Sequence, residues 1–348
     1  MVVVTKLSVQ NVRSHDSFVT TLSPSMTVIT GQNGSGKTSL IEAIYVALQG
    51  SSFKGSDSDL LRKDCPWWRI DIGFKDNTKR TVKFDPSKVY GRKQFVIDEK
   101  TSYRLTPKNK YPVVLFEPDD LRLLNGSPTR RRQFIDRFIS QLDPLYGSTL
   151  HKYERALKQR NNLLKKPFIS PDELFVWNIA LSEYGAYIIQ QRTVFIEQIN
   201  SKLNDAYNDI AQSSDIVSVH YSHTSIGDVK QKLLSELHHH SDKDKLTGNT
   251  SVGPHRHDVI FQFNNSPALS IASRGEVRTI VLALKFLEVG IIEQITNIKP
   301  IILLDDVFSE LDIDRQKALS DTIRAHQIII TSTHVLSDGT KYQHIQLE

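Results

Sequence analysis

Along the first hundred residues, apolar and polar positions alternate in short runs separated by turn-forming residues, the period of strands with one buried face. Residues 3–9 and 17–22 are predicted to pair as strands, and the apolar run from Met26 to Thr30 reads as a buried strand. From Thr38 to Leu48 the apolar residues fall at helical spacing instead. A linker rich in Ser, Gly and Asp follows. Segments near 68–74, 79–84 and 94–98 then have the pattern of an antiparallel meander that would support the preceding strands and helix.

The texture changes at Pro118. From there to about Ser241, long stretches carry helical spacing, are broken at Pro144, Pro167 and Pro171, and are rich in Arg, Lys and Gln. Short strands return at 259–263, 301–304 and 327–331, with a strong helix predicted over 277–289. The pattern predicts an α/β domain made of residues 1–115 and 248–348, with a mostly helical lobe, residues 116–247, inserted into it. No internal repeat is visible, and neither helical stretch keeps its heptads for the length of a long coiled coil.

Composition narrows the class. With 348 residues, 39% of them apolar and 24% charged, the chain can bury a sizeable core in one large or two medium domains. Cys65 is the single cysteine, which excludes an intrachain disulfide framework and a multi-thiolate metal site and fits a reducing compartment. The first residues lack the pattern of a signal peptide, and no run of about 18 apolar residues occurs. The expectation is a cytoplasmic protein without a membrane span. A net charge of +5 is only mildly basic, so where the charge sits matters more than its sum.

Candidate chemistry begins just after the 26–30 strand. Gly31, Gln32, Asn33, Gly34, Ser35, Gly36, Lys37 and Thr38 match G-x-x-x-x-G-K-[ST], and with Ser39 they open the predicted helix. Such a loop curls so that backbone amides point at phosphate oxygens, and the helix N-terminus adds partial positive charge. Lys37 is predicted to reach the β- and γ-phosphates of ATP, and the Thr38 hydroxyl to ligate Mg2+. A Gly-rich turn that matches by chance is the competing reading, against which the strand and helix context argues. Ile301-Ile-Leu-Leu-Asp305-Asp306 is an apolar strand ending in two carboxylates. Asp305 is predicted to hold Mg2+ through water, and Asp306 to orient or deprotonate the attacking water. Taken alone, the segment also reads as a capped buried strand.

Ser273-Arg274-Gly275-Glu276 precedes the 277–289 helix and lies about 30 residues before Asp305. It resembles the signature segment of ABC-type ATPases, whose Ser and Gly bind the γ-phosphate of a nucleotide held by the opposing subunit. On its own it is also a plain helix start. Ser309-Glu310-Leu311-Asp312 resembles the D-loop of that class, and Thr331-Ser-Thr333-His334 its switch segment, with His334, Thr331 or Thr333 sensing the γ-phosphate. One P-loop and one signature per chain imply two composite sites across an ATP-dependent homodimer.

Four longer segments carry a more specific likeness: Val114-Leu-Phe-Glu-Pro-Asp-Asp-Leu121, Gly126-Ser-Pro-Thr-Arg-Arg-Arg-Gln-Phe-Ile-Asp136, Val252-Gly-Pro-His-Arg256 and Asp305-Asp-Val-Phe-Ser-Glu-Leu-Asp312. Over essentially its whole length the chain resembles the RecF family of bacterial recombination mediators. The resemblance implies an ABC-type, SMC-like P-loop ATPase head with a helical second lobe inserted, and a weak, DNA-stimulated ATPase activity. It also implies a role in recombinational repair and replication-fork maintenance, binding DNA at single-strand gaps and helping RecR and RecO to load RecA. Departures from the family pattern are Arg274 where Gly or Gln is usual, His257 where Asp is frequent, and Val277 at an often polar position. By analogy, Glu117 occupies the Q-loop position. Arg13 resembles an arginine that SMC-type heads place near the nucleotide, and otherwise reads as an exposed strand-end residue.

Basic residues crowd the start of the helical lobe, among them Arg130, Arg131, Arg132, Lys152, Arg155, Lys158, Arg160, Lys165 and Lys166. Cations along one face suit contact with a phosphate backbone without base reading, and Arg130, Arg131, Arg132, Lys152 and Lys158 are the candidate DNA residues. Competing readings are a solvated helix face and, for Arg130 to Arg132, structural pairing with Asp119, Asp120 or Asp136. Three consecutive histidines, His238 to His240, cannot all face one metal ion on a regular element. Trp67 and Trp68 read as packing for the meander rather than as base-stacking platforms. The alternative function is another SMC-like or ABC-class ATPase, a structural DNA clamp or a motor subunit. A transporter motor predicts a short lobe with a groove for a membrane coupling helix, an SMC head needs a long coiled-coil arm, and a small-molecule P-loop kinase needs neither signature nor D-loop.

Overall fold

The computed structural model describes residues 2–223, 227–308, 311–335 and 341–348. The chain forms two compact units, Met1–Asp120 with Glu288–Glu348, and Leu121–Leu287. The first unit opens with β1 (Val4–Val12), β2 (His15–Thr21), β3 (Met26–Thr30), α1 (Lys37–Gln49), β4 (Trp68–Phe74), β5 (Lys79–Phe84), β6 (Lys93–Ile97), β7 (Lys100–Ser102) and β8 (Val113–Phe116). The second contains α2 (Pro128–Leu142), α3 (Pro144–Leu164), α4 (Pro171–Ala211), β9 (Val217–Tyr221), α5 (Val229–His239), α6 (Ser241–Thr247), β10 (Val259–Phe263), β11 (Ser266–Pro267) and α7 (Ala268–Ile271). Helix α8 (Arg274–Thr296) carries the chain back to the first unit, which ends with β12 (Ile301–Asp305), α9 (Ile313–Ile323), β13 (Ile328–Ser332) and β14 (Gln343–Gln346).

In the first unit, β3, β12 and β13 are buried at every residue. Such continuous apolar runs belong to a parallel sheet covered on both faces, and the sheet is parallel throughout, in the order β14-β3-β13-β12-β8. The other sheet, β2-β1-β4-β5-β6-β7, is antiparallel. Its strands alternate: β4 buries Trp68, Ile70, Ile72 and Phe74 and leaves the residues between them half-buried. Helix α1 is apolar nearly all round, the pattern of a fully enclosed helix. Leu40, Ile41 and Ile44 lie in one cluster with residues of both sheets, where truncation to Ala would cost about 2–5 kcal/mol each. A buried glutamine joins the layers, Gln327 accepting from Val4 N at 2.8 Å and donating to the carbonyls of Val4 at 2.6 Å and Ser23 at 2.8 Å.

The register positions the chemistry. Asp305 pairs with Thr331, Thr331 with Ile29, and Ser332 with Thr30, so the C-terminal ends of β3, β12 and β13 form one edge. Ligands of open α/β sheets bind outside that edge. Two strands of this sheet have no clear sequence signal. Strand β14, Gln-His-Ile-Gln, is a polar edge strand, and β8 hides inside a segment marked by its acidic neighbours.

The second unit contains α2 to α7 and the three-stranded sheet β11-β10-β9. The expected return to the α/β domain at residue 248 is thereby displaced to residue 288. Strand β10 buries Val259, Phe261 and Phe263 and leaves Ile260 exposed, so it suits a sheet with one open face, and it pairs antiparallel with β9. Trp68 is fully buried, stacks on Phe84 and donates its indole N–H to the Asp57 carbonyl at 2.8 Å, as packing for the meander requires. Among the described residues, no helix is long and apolar enough to cross a membrane.

Arg160 does not belong to a basic surface. Its side chain is fully buried, donating to Asp244 Oδ2 at 2.7 Å, Asn178 Oδ1 at 2.8 Å and Thr250 Oγ1 at 2.8 Å. Removing one partner of such a pair strands the other charge in the core. Arg160→Ala is expected to lower stability by about 3–5 kcal/mol in urea denaturation, and the double change Arg160→Met with Asp244→Leu to recover most of it. A loss no larger than that of an exposed lysine variant would contradict the buried pair.

Candidate nucleotide-binding site

Between β3 and α1 the chain turns through Gly34 and Gly36, at φ 90° and 94°. Gly36 has two reasons to lack a side chain: its left-handed backbone, and the approach of Ser14 Oγ and His15 Nε2, which a Cβ would meet at 2.3 and 2.4 Å. Helix α1 starts at Gly36 without a side-chain cap, so its first amides are available to an anion. Lys37 is buried, and its Nζ donates to the carbonyls of Gly31 at 2.8 Å and Gln32 at 3.1 Å, across the mouth of the loop. Gln32, Asn33 and Gly34 form the exposed tip, and Ser39 is buried in the first turn of α1. The buried Ser35 hydroxyl has no hydrogen-bond partner among the described residues.

Three hydroxyl and carboxyl groups converge beside this loop. Asp305 Oδ1 accepts from Thr38 Oγ1 at 2.7 Å and from Thr331 Oγ1 at 2.9 Å. Asp306 follows at φ 52°, its N–H donating to Thr331 Oγ1 at 3.0 Å and to the Thr331 carbonyl at 3.2 Å. Burial raises the Asp306 carboxyl above the usual carboxylate range; Lys37 opposes the shift and Asp305 adds to it. A raised carboxyl is a better proton acceptor for water. The hard oxygens of Thr38 and Asp305 suit Mg2+, and the orphaned Ser35 hydroxyl with the uncapped α1 terminus suits phosphate, so these residues fit a magnesium nucleotide. Of the three sensor candidates, Thr331 reaches Asp305 and Asp306. His334 is exposed, and its N–H bonds Ser332 Oγ.

Several neighbours have no motif. Arg13 donates to both oxygens of the buried Glu42, at 2.7 and 3.0 Å, so it is a paired residue braced on α1 rather than an exposed strand end. The pairing raises the arginine further. Glu42 also accepts from Ser52 Oγ. His15 Nε2 donates to the Gly36 carbonyl at 3.1 Å, and Lys54 Nζ lies 3.4 Å from Asp305 Oδ2. A carboxylate inside the apolar run of α1 was the one available sign, since a buried Glu demands a partner. Glu117 follows β8, whose Phe116 pairs with Leu304, so it stands at the same sheet edge as Asp305.

In the second unit, Ser273 N donates to Glu276 Oε2 at 2.5 Å and Glu276 N to Ser273 Oγ at 3.3 Å, a reciprocal capping box that starts α8 with Ser273 and Arg274 exposed and Gly275 in the first turn. Of the D-loop segment, Ser309 and Glu310 lie outside the described residues, and Asp312 caps α9 by accepting from Arg315 N.

Known proteins share this arrangement of motifs. Residues 6–245 match the AAA domain family. The DNA replication and repair protein RecF of Clostridium perfringens is 34% identical over 342 residues, 97% of this chain and 94% of its own length. The chain belongs to the RecF family. RecF of Streptococcus suis is 35% identical over 358 residues, 98% of this chain and 97% of its own. A solved structure of the recombination mediator protein RecF-ATPrS in the RecFOR pathway has a TM-score of 0.88 at 28% identity, covering 100% of this chain and 96% of that one. An Smc head domain derived from Pyrococcus furiosus, bound to the C-terminal domain of ScpA, has a TM-score of 0.50 at 18% identity, covering 96% of this chain and 90% of that one, a likeness of fold. The fold is that of an ABC-type, SMC-like ATPase head.

Two of the family-like segments, 126–136 and 252–256, contribute to the polar interior of the second unit. Asp136 accepts from Arg192 Nε and a terminal nitrogen, both at 2.8 Å, and from the Tyr146 hydroxyl at 2.5 Å. Arg192 also donates to the Pro254 carbonyl at 2.8 Å and to the Tyr221 hydroxyl at 3.2 Å, which shares a hydrogen bond with His257 Nδ1 at 2.9 Å. Arg131 grips both oxygens of Asp258 at 2.8 and 2.7 Å, and Arg132 donates to the His257 carbonyl at 2.6 Å. These partners hold Arg131 and Arg132 inward. Arg130 is half-buried in the first turn of α2, whereas Lys152, Arg155 and Lys158 are exposed along α3, with Lys165 and Lys166 exposed at its end.

Two histidines of this interior are neutral. His255 Nε2 donates to the Thr250 carbonyl at 3.1 Å, which leaves Nδ1 to accept from the Tyr153 hydroxyl at 2.6 Å. Burial pushes His255 down to about 4 and His257 to about 3, and neighbouring arginines reinforce both shifts. Unfolded, both imidazoles take up protons below about pH 6.5; folded, they do not until far lower. Their contribution is present above about pH 6.5 and is lost as pH falls through that value toward 4, by at most about 1.4 kcal/mol per pH unit for each histidine. Urea midpoints measured across this range should fall with acid, and less steeply in His255→Gln; equal slopes would contradict the neutral pair.

Proposed function

We propose that the chain is an ATP-dependent DNA-binding protein of recombinational repair and replication-fork maintenance, which closes as a homodimer over Mg2+ and ATP. The observation that supports this reading most is the convergence of the Thr38 and Thr331 hydroxyls on one Asp305 oxygen beside a loop whose helix end is uncapped. In this reading Lys37 and the amides of residues 34–38 bind the phosphates, and Thr38 and Asp305 hold Mg2+. When bound, the ion offsets charge on the β- and γ-oxygens. Asp306 orients the attacking water and takes its proton, its raised affinity for protons suiting that task. Ser273 and Gly275 bind the γ-phosphate of the nucleotide held by a second copy, using the N-terminus of α8.

The first unit then acts as the ATPase core and the second as the DNA- and dimer-related lobe. Lys152, Arg155 and Lys158 recur every three residues on an exposed helix face, a spacing that tracks phosphates without reading bases. The solved relative bears an ATP analogue and is placed in the RecFOR pathway. By family, this chain works in the cytoplasm with RecR and RecO at DNA gaps, upstream of RecA.

Binding of a fluorescent ATP analogue tests the site. Lys37→Ala should abolish it, whereas Asp306→Asn should keep it and slow phosphate release by about 100-fold or more; normal turnover in Asp306→Asn would remove Asp306 from the chemistry. On duplex DNA, changing Lys152, Arg155 and Lys158 to Gln should reduce the slope of log affinity against log salt by about 0.9 for each lost phosphate contact. An unaltered slope would take α3 off the DNA face.

A further inference from the structure

Asp305 is 2% exposed, and a buried carboxylate requires a counter-charge. Its Oδ1 accepts the hydroxyls of Thr38 and Thr331, while Oδ2 faces the ammonium of Lys54 at 3.4 Å. Lys54 belongs to none of the motifs and comes from the loop after α1. That loop is fixed at its root: Ser52 Oγ accepts from the backbone N–H of Lys54 at 2.9 Å and of Gly55 at 3.0 Å, and donates to Glu42, the buried partner of Arg13. The backbone of Lys54 is therefore anchored to α1, while its side chain, 39% exposed, has open space on its outer side.

We infer that Lys54 is the counter-ion of Asp305 before the divalent cation arrives, and that Mg2+ displaces it. The inference rests on the magnesium nucleotide reading of the site. A dication reached through Thr38 and an ammonium on Oδ2 would share one buried carboxylate, where like charges a few ångströms apart repel. The two cations exclude one another. Lys54 thus acts as a positioning residue through Asp305: it holds the carboxylate aimed at Thr38, and it sets the Mg2+ concentration at which the site loads. Linkage makes the two effects one, since whatever Lys54 contributes to the metal-free state must be overcome by the metal.

The test titrates MgCl2 into the full chain, first alone with the thermal midpoint as readout, then with a fluorescent ATP analogue. Lys54→Met should reach half-maximal nucleotide binding at about fivefold lower Mg2+ or less, the lower end of coupling between linked sites. It should also gain more thermal stability from Mg2+ alone than the wild type, and Lys54→Arg should behave as wild type. An equal or higher Mg2+ midpoint in a Lys54→Met protein that still binds nucleotide would overturn the exchange. Lys54→Gln is titrated in the same way should Lys54→Met fail to fold. Lys37→Ala is the separate control: nucleotide binding unaffected by that change would sink the nucleotide reading itself, whatever Lys54 does.

Discussion

The first unit is organised around one oxygen atom. Asp305 Oδ1 receives hydroxyls from Thr38 and Thr331, residues that lie in different thirds of the chain from one another or across a crossover helix. They meet because β3, β13 and β12 are neighbours in a parallel sheet whose register aligns Ile29, Thr331 and Asp305. Parallel pairing requires crossovers and two covered faces, so the fully apolar strands, the enclosed helix α1 and the antiparallel sheet beyond it all follow from placing those three side chains at one edge. A slip of one residue in β13 would turn Thr331 away from Asp305 and leave the carboxylate short of a partner.

The second unit has a comparable constraint in Arg192 and Asp136. A buried ion pair adds little net stability over a well-packed apolar pair, but it tolerates almost no other geometry. Here it fixes Pro254, Tyr146 and Tyr221, and through them the neutral histidines. The segments 126–136 and 252–256 thus contribute scaffold through Asp136 and Pro254. Arg131, Arg132 and Arg160 look like surface cations in sequence and instead hold the unit together from within.

What could be read from sequence follows from how each feature is encoded. Phosphate and metal chemistry demands given residue types at fixed spacing, so residues 31–38 and the Asp305–Asp306 pair announce themselves. Of the strands buried on both faces, β3, β12 and β13 announce themselves as apolar runs, whereas the four residues of β8 do not stand out beside their acidic neighbours. The alternation of β10 tells that one face is buried but not which sheet it joins, and β14 is too polar to read as a strand at all. Charge is legible while burial is not, which is why Arg160 reads as one of a crowd of surface cations. The pairing of Thr331 with Asp305 depends on the strand register, which spacing in the sequence does not reveal. Lys54 and Glu42 depend on tertiary placement alone, with only the lone carboxylate in an apolar helix to hint at the second.

In the proposed function a dimer joins nucleotide to DNA, since one chain carries a phosphate loop in one unit and a capped helix start resembling the signature in the other. Sedimentation mass of the full chain with gapped DNA, with and without ATP, tests that claim most directly. The account predicts one copy per particle without nucleotide and two with ATP; the same mass in both conditions would contradict it.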